Sequence, residues 1–132
     1  MGVSLVDMKV WQWMYEHPDA TAEELKNSVI SIAKEVWNTY YAPVFGQKDE
    51  PILAVYSHMI DAPLYLSAYP IGHLIQFQFE EYFKDKSIGK EAERIFAMGR
   101  LTPQTWMQKA VGNTLSVDAL LKATSEATEK VK

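Results

Sequence analysis

The sequence has no cysteine, so it carries no disulfide framework, no thiolate zinc site and no cysteine nucleophile, and a reducing, cytoplasmic compartment is the default expectation. Positive charge is short as well. Lys and Arg number 13 against 17 Asp and Glu, a net charge of -4, which leaves no electrostatic footprint for nucleic acid as a partner. A Gly-rich phosphate loop, a G-x-S-x-G elbow and an H-E-x-x-H zinc helix are all missing. The N-terminal stretch reaches Asp7 and Lys9 without the apolar core and small-residue cleavage site of a signal peptide. The longest uncharged stretch, Ala62 to Phe79, is interrupted by Pro63, Pro70, Gln76 and Gln78, which points to a buried helix and not to a membrane. What is left is 132 residues, 48% hydrophobic and 23% charged, the profile of one globular domain covering 1–132.

No stretch alternates with period two and no Asn-Gly or Asp-Gly hairpin turn occurs, so the expected class is all-α. Met1 to Glu16 reads as a helix with one apolar line through Leu5, Met8 and Tyr15 and another through Val6, Val10, Trp13 and Met14. His17-Pro18 ends it, because a residue before proline is pushed out of the helical region. Thr21 and Glu24 form a capping-box pattern for a second helix, with Leu25, Val29, Ile32, Ala33, Val36, Trp37 and Tyr40 inward and Pro43 and Gly46 stopping it. Pro51 opens a shorter third helix through Ile52, Val55, Tyr56 and Met59, broken at Asp61-Ala62-Pro63. Leu64 to about Lys84 reads as one long, largely buried helix, with Pro70 at a kink or a new start. Three helices complete the chain: Gly89 to Met98 with Ala92, Ile95 and Phe96 inward, Pro103 to Ala110, and Val117 to about Lys130 with Leu120, Leu121 and Ala127 inward.

Chemistry is thereby confined to histidine, tyrosine and carboxylates. His58, His73 and Glu80 are candidates for a private metal site, but no two histidines stand at i, i+4, and half-buried structural histidines are the plainer reading. Tyr65 and Tyr69, four apart on one helical face, are able to donate two hydrogen bonds to an oxyanion. The plainer reading makes them core tyrosines with satisfied hydroxyls. Gln76 and Gln78 must each find a partner within a buried helix, which suggests packing against polar backbone or another subunit.

Several segments taken in order carry a family resemblance. They are Leu5-Val6-Asp7 with Trp11 and Trp13, Val36-Trp37-Asn38, and the run Leu74-Ile75-Gln76-Phe77-Gln78-Phe79 before Glu80-Glu81. Leu101-Thr102-Pro103, Trp106-Met107, Ala110-Val111-Gly112 and Leu115-Ser116 before Leu120-Leu121 follow. Together they resemble the C-terminal helices of angiotensin-converting-enzyme-like zinc peptidyl-dipeptidases and of the thimet-oligopeptidase and oligoendopeptidase group, over about Leu5 to Ala127. The resemblance implies a multi-helix domain like the C-terminal subdomain of these gluzincins, on the substrate side of the cleft. Their H-E-x-x-H helix and downstream glutamate ligand lie before the first matched segment.

By the same resemblance Tyr69 would stabilise the tetrahedral oxyanion and His58 would bind the substrate backbone. Tyr65 is the alternative to Tyr69, because the match needs a one-residue insertion between them. Tyr56 stands where the dipeptidyl carboxypeptidases hold the substrate carboxylate with a lysine, which removes the family's anchor for releasing C-terminal dipeptides. Ala68 stands at the chloride-binding arginine, so chloride activation is not expected, and Pro70 after Tyr69 is a further departure.

The expected function is therefore the substrate-side portion of a zinc metallopeptidase acting on peptides. Zinc belongs to the complete enzyme, and this chain has no metal ligands or cofactor of its own. Activity is not expected unless an N-terminal zinc-binding polypeptide supplies the metal and the water-activating glutamate. The alternative is a non-catalytic helical binding or assembly module. With half of a two-lobed cleft elsewhere, faces bearing Trp11, Trp13, Tyr65, Tyr69 and Phe77 are expected to expose apolar surface and drive self-association, most simply as a homodimer.

Overall fold

A computed structural model describes residues 1–62 and 64–131; Pro63, the residue expected to break the third helix, lies outside the described residues. The described residues form helices and turns with no strand among them, the all-α class that the spacing predicts. The elements are α1 Gly2–Glu16, α2 Ala22–Tyr40, α3 Ala42–Phe45, a 3-10 turn Ile52–Ala54, α4 His58–Asp61, a second 3-10 turn Tyr65–Ser67, α5 Ala68–Phe83, α6 Ile88–Phe96, α7 Pro103–Val111 and α8 Asp118–Val131. None of these helices is long and apolar enough to cross a membrane. The chain divides into two compact units, Met1–Pro70 and Ile71–Lys132.

In the first unit α2 buries Val29, Ala33 and Val36, one stripe at helical spacing, against Val6 and Val10 of α1. The second of the two apolar lines on α1 thus faces the core, while Met8 and Tyr15 are exposed. The capping box forms as expected: the Glu24 N–H donates to the Thr21 hydroxyl at 3.3 Å and the Thr21 N–H donates to the Glu24 carboxylate at 2.8 Å. Tyr40, expected inward, is exposed. Its neighbour Tyr41 packs between Trp37 and Phe45 at 5.3 and 6.5 Å, and its hydroxyl accepts the Gly2 N–H at 3.0 Å. A Cβ at position 2 would run into the Tyr41 ring, so only glycine fits there.

The expected third helix is two separate pieces. Pro51 precedes a single 3-10 turn, and α4 starts only at His58. Leu53 and Met59 are buried, whereas Ile52, Val55 and Tyr56 are exposed, so the helical spacing of the apolar residues does not mark one buried face. Leu64, at φ 57, likewise delays the next helix to Ala68. Pro70 then sits in the first turn of α5, where its missing N–H leaves no helical hydrogen bond unmade. It causes no break. α5 is also not largely buried as expected; its apolar residues are half-buried, and His73, Gln76 and Glu80 are exposed.

The second unit buries Ile95, Met107 and Ala110. Trp106 packs on Phe79 at 5.4 Å and donates its indole N–H to the Ile95 carbonyl at 3.3 Å. Phe96, expected inward, is 73% exposed, because the buried residue of that α6 face is Ile95. Leu121 and Ala127 are also outside; Leu120 is half-buried as expected, together with Ala119 and Ala123. The Arg94 guanidinium donates to the Ala110 carbonyl and to the Glu91 carboxylate, both at 2.7 Å, and so satisfies an end carbonyl of α7. Gln78 meets the expectation of a polar backbone partner. Its amide donates to the Thr114 carbonyl at 2.9 Å and accepts the Ser116 N–H at 3.0 Å, whereas Gln76 bonds Glu80 on the surface.

Candidate functional site

Buried pegs position the candidate residues. Leu53, Met59 and Leu66 each enter the core of the first unit, and the residues beside them in sequence are left on the outside. Met59 thus holds His58 at the start of α4, and Leu66 holds Tyr65 in the second 3-10 turn. The rings form a continuous ladder. Tyr56 stacks on His58 at 4.8 Å, His58 on Tyr65 at 5.3 Å, and Tyr65 meets Tyr69 edge-on at 5.6 Å.

All four residues singled out in the sequence therefore come together. Tyr65 and Tyr69 are not core tyrosines: Tyr56 is 47% exposed, Tyr65 45% and Tyr69 53%. The Tyr65 and Tyr69 hydroxyls share a hydrogen bond of 2.9 Å in which either oxygen can be the donor. That bond, and then the neighbouring Tyr65 phenol as a charge, pushes the Tyr69 phenol above the ordinary tyrosine value.

Beneath the ladder lies a set of polar groups that the sequence reading did not single out as a site. Ser4 Oγ donates to the Leu66 carbonyl at 2.7 Å, and the Leu66 N–H donates to Asp7 Oδ2 at 3.2 Å. Trp11 Nε1 donates to the Met59 carbonyl at 3.1 Å. Positions 4, 7 and 11 lie on one face of α1, so one helical stripe grips the backbone beside both His58 and Tyr65. Asp7 is 0% exposed and its Oδ1 has no hydrogen-bond partner. Burial pushes its carboxyl above the ordinary value, partly offset by hydrogen bonds from the Leu66 and Leu64 backbone and from Trp11. The signal was present in the sequence as a serine and an aspartate set among buried apolar positions of one helix.

A separate cleft of 360 Å³ is lined by Met1, Gly2, Leu5, Met8, Tyr40 and Tyr41, almost wholly apolar and without groups to orient a reacting ligand. No group of three or more His, Asp or Glu among the described residues is placed to hold a metal ion, His58, His73 and Glu80 included. The described residues thus offer no ligand set that fits zinc. Hydrogen-bond donation from aromatic hydroxyls and an imidazole is what the arrangement can perform. Among known proteins the chain matches no family model, no curated protein and no solved structure.

Proposed function

We propose that the chain is the substrate-side portion of a helical zinc metallopeptidase, with the Tyr56–His58–Tyr65–Tyr69 ladder as the surface that receives the peptide. The observation that carries this reading is the ladder itself. Four residues assigned to substrate contact by resemblance alone stand in one stacked row with their phenols in solvent.

In this reading His58 binds the peptide backbone and Tyr69 donates to the carbonyl oxygen as negative charge develops there. The two hydroxyl rotors permit it: Tyr65 turns its proton onto the Tyr69 oxygen, freeing the Tyr69 proton for the substrate. Tyr65 takes the donor role if Tyr69 is displaced. The groups that activate water are supplied by an N-terminal polypeptide that carries the zinc ligands. Incubated with a pool of short peptides, with and without zinc ion, the purified chain is expected to leave every peptide intact by mass spectrometry. Zinc-dependent cleavage that disappears in Tyr69→Phe would overturn this division of labour.

A second reading, a non-catalytic binding or assembly module that forms a homodimer, is supported by the exposed Ile52, Val55 and Ile60 in the segments that carry the ladder. Light scattering at high protein concentration is expected to show a dimer; a strictly monomeric species would count against it.

A further inference from the structure

We propose that Ser4 and Asp7, with Trp11, are positioning residues for the ladder: they set the Leu66 and Met59 backbone and thereby hold the Tyr65 hydroxyl on Tyr69. This rests on the ladder being the functional surface. The segment's other hydrogen bonds are local, from the Tyr65 N–H to the Ala62 carbonyl at 3.1 Å and from Ser67 Oγ to the Leu64 carbonyl at 2.6 Å. Leu64 is in the left-handed region, which an L residue with a branched side chain rarely adopts, so the turn that carries Tyr65 needs an external hold. Within the Tyr65–Ser67 turn only Leu66 is buried, and both of its backbone polar groups bond to α1: the carbonyl to Ser4 and the N–H to Asp7. Serine and aspartate thus act on Leu66 as a paired strand would, one donating and the other accepting.

An aspartate is a costly way to accept a backbone N–H in a buried site. Its second oxygen has no partner, and an apolar residue of similar size would pack the same space. The advantage of the carboxylate is a fixed acceptor at the one N–H that decides where the turn begins. Trp11 adds the equivalent hold one element earlier, on the carbonyl of Met59, directly after His58. All three grips come from one rigid helix of 15 residues, so the two ends of the ladder segment are referred to a common frame.

The test reads Tyr69 without any substrate. Ring-labelled tyrosine is followed by NMR as pH rises, with the Tyr69 signal identified by its loss in Tyr69→Phe. In the wild type the Tyr69 phenol is expected to titrate above ordinary tyrosine, and a wild-type Tyr69 at the ordinary value overturns the proposal. Asp7→Leu is expected to return it to the ordinary value, and Asp7→Asn, which still accepts the Leu66 N–H, to leave it raised. Val10→Ala, a core change next to the same helix face, is expected to lower stability without moving the titration. Where Asp7→Leu does not fold, Ser4→Ala decides in the same way. A folded Asp7→Leu or Ser4→Ala whose Tyr69 still titrates high overturns the proposal. If the shift is lost in these variants while the wild type binds no peptide, the positioning role stands and the peptidase reading falls; a retained shift with peptide binding gives the reverse.

Discussion

Residues 1–70 bury eight apolar side chains in one cluster running from Val6 to Leu66, whereas the described residues of the second unit bury three, Ile95, Met107 and Ala110. In the second unit side chains that reach the backbone supplement this smaller core. Gln78 bridges Thr114 and Ser116, Gln104 accepts the Leu115 N–H, and Arg94 caps α7. The first unit thus has the larger packed core, and both units add directional bonds from side chains to the backbone. The difference bears on function. A packed core supplies a rigid base on which short irregular segments can expose aromatic residues, and the candidate ladder lies on the first unit.

The largest effect that would break this contrast lies at Met59. Met59→Ala is expected to cost about 2–5 kcal/mol, because it leaves a cavity in the cluster and frees the peg beside His58. Thermal denaturation checks the magnitude, and native-state hydrogen exchange should place the loss in α1 and α2. A loss confined to α6–α8 would reverse the comparison. Gln78→Ala is next, at about 1–2 kcal/mol for the two lost backbone partners, and its exchange effects should fall within 113–118. Thr21→Ala removes one half of the capping box and is expected to cost about 1 kcal/mol, read from the same melting curves.

The smallest effect is set by pH and has opposite signs at buried Asp7 and at the hydrogen-bonded glutamates. Hydrogen bonds from Lys122 and Arg94 hold the Glu81 and Glu91 carboxyls below the ordinary glutamate range. Their stabilisation is present above that range and is lost as pH falls through the lowered values. Asp7 is raised by burial, so the native state holds its proton more tightly than the unfolded chain does. Its contribution becomes less favourable as pH rises from the ordinary aspartate value through the raised one. Acidification should therefore loosen the second unit at Glu81 and Glu91, and the α2 cap at Glu24, while relieving a cost at Asp7. Asp7→Asn should abolish the relief, as seen by comparing exchange rates in the two units across pH. Because the Glu81 and Glu91 pairs are partly exposed, the change is small and weakens with salt.

Much of this architecture is legible in the chain, and the errors have physical causes. Capping signals are local, so Thr21 with Glu24 and Thr102 with Pro103 place their helices correctly and the left-handed Gly112 stops α7, whereas α2 already ends at Tyr40 and Gly46 stops the short α3 that contains Pro43. Burial is not local. Tyr40 and Phe96 have the right spacing to face inward, yet both are exposed: Tyr41 packs in place of Tyr40, its hydroxyl accepting the Gly2 N–H, and of the α6 residues expected inward Ile95 alone is fully buried. The segment 52–67 misleads most. Its apolar residues fit a helix, but the chain uses them singly, as pegs between short turns, and the exposed ones between the pegs form the ladder. Tyr56, His58, Tyr65 and Tyr69 could be named from a resemblance because that matched residue order. The grip of Ser4 and Asp7 on Leu66 spans about sixty positions and has no counterpart in spacing alone.

The most direct test of the ladder as a peptide-receiving surface is an NMR titration of ring-labelled tyrosine with a short uncharged peptide blocked at both ends. The signals of Tyr65 and Tyr69 are predicted to move together as the peptide binds, with Tyr82 of the second unit unmoved and the response lost in Tyr69→Phe. Signals of Tyr65 and Tyr69 that stay in place while the peptide is added, or that move no differently from Tyr82, would contradict it.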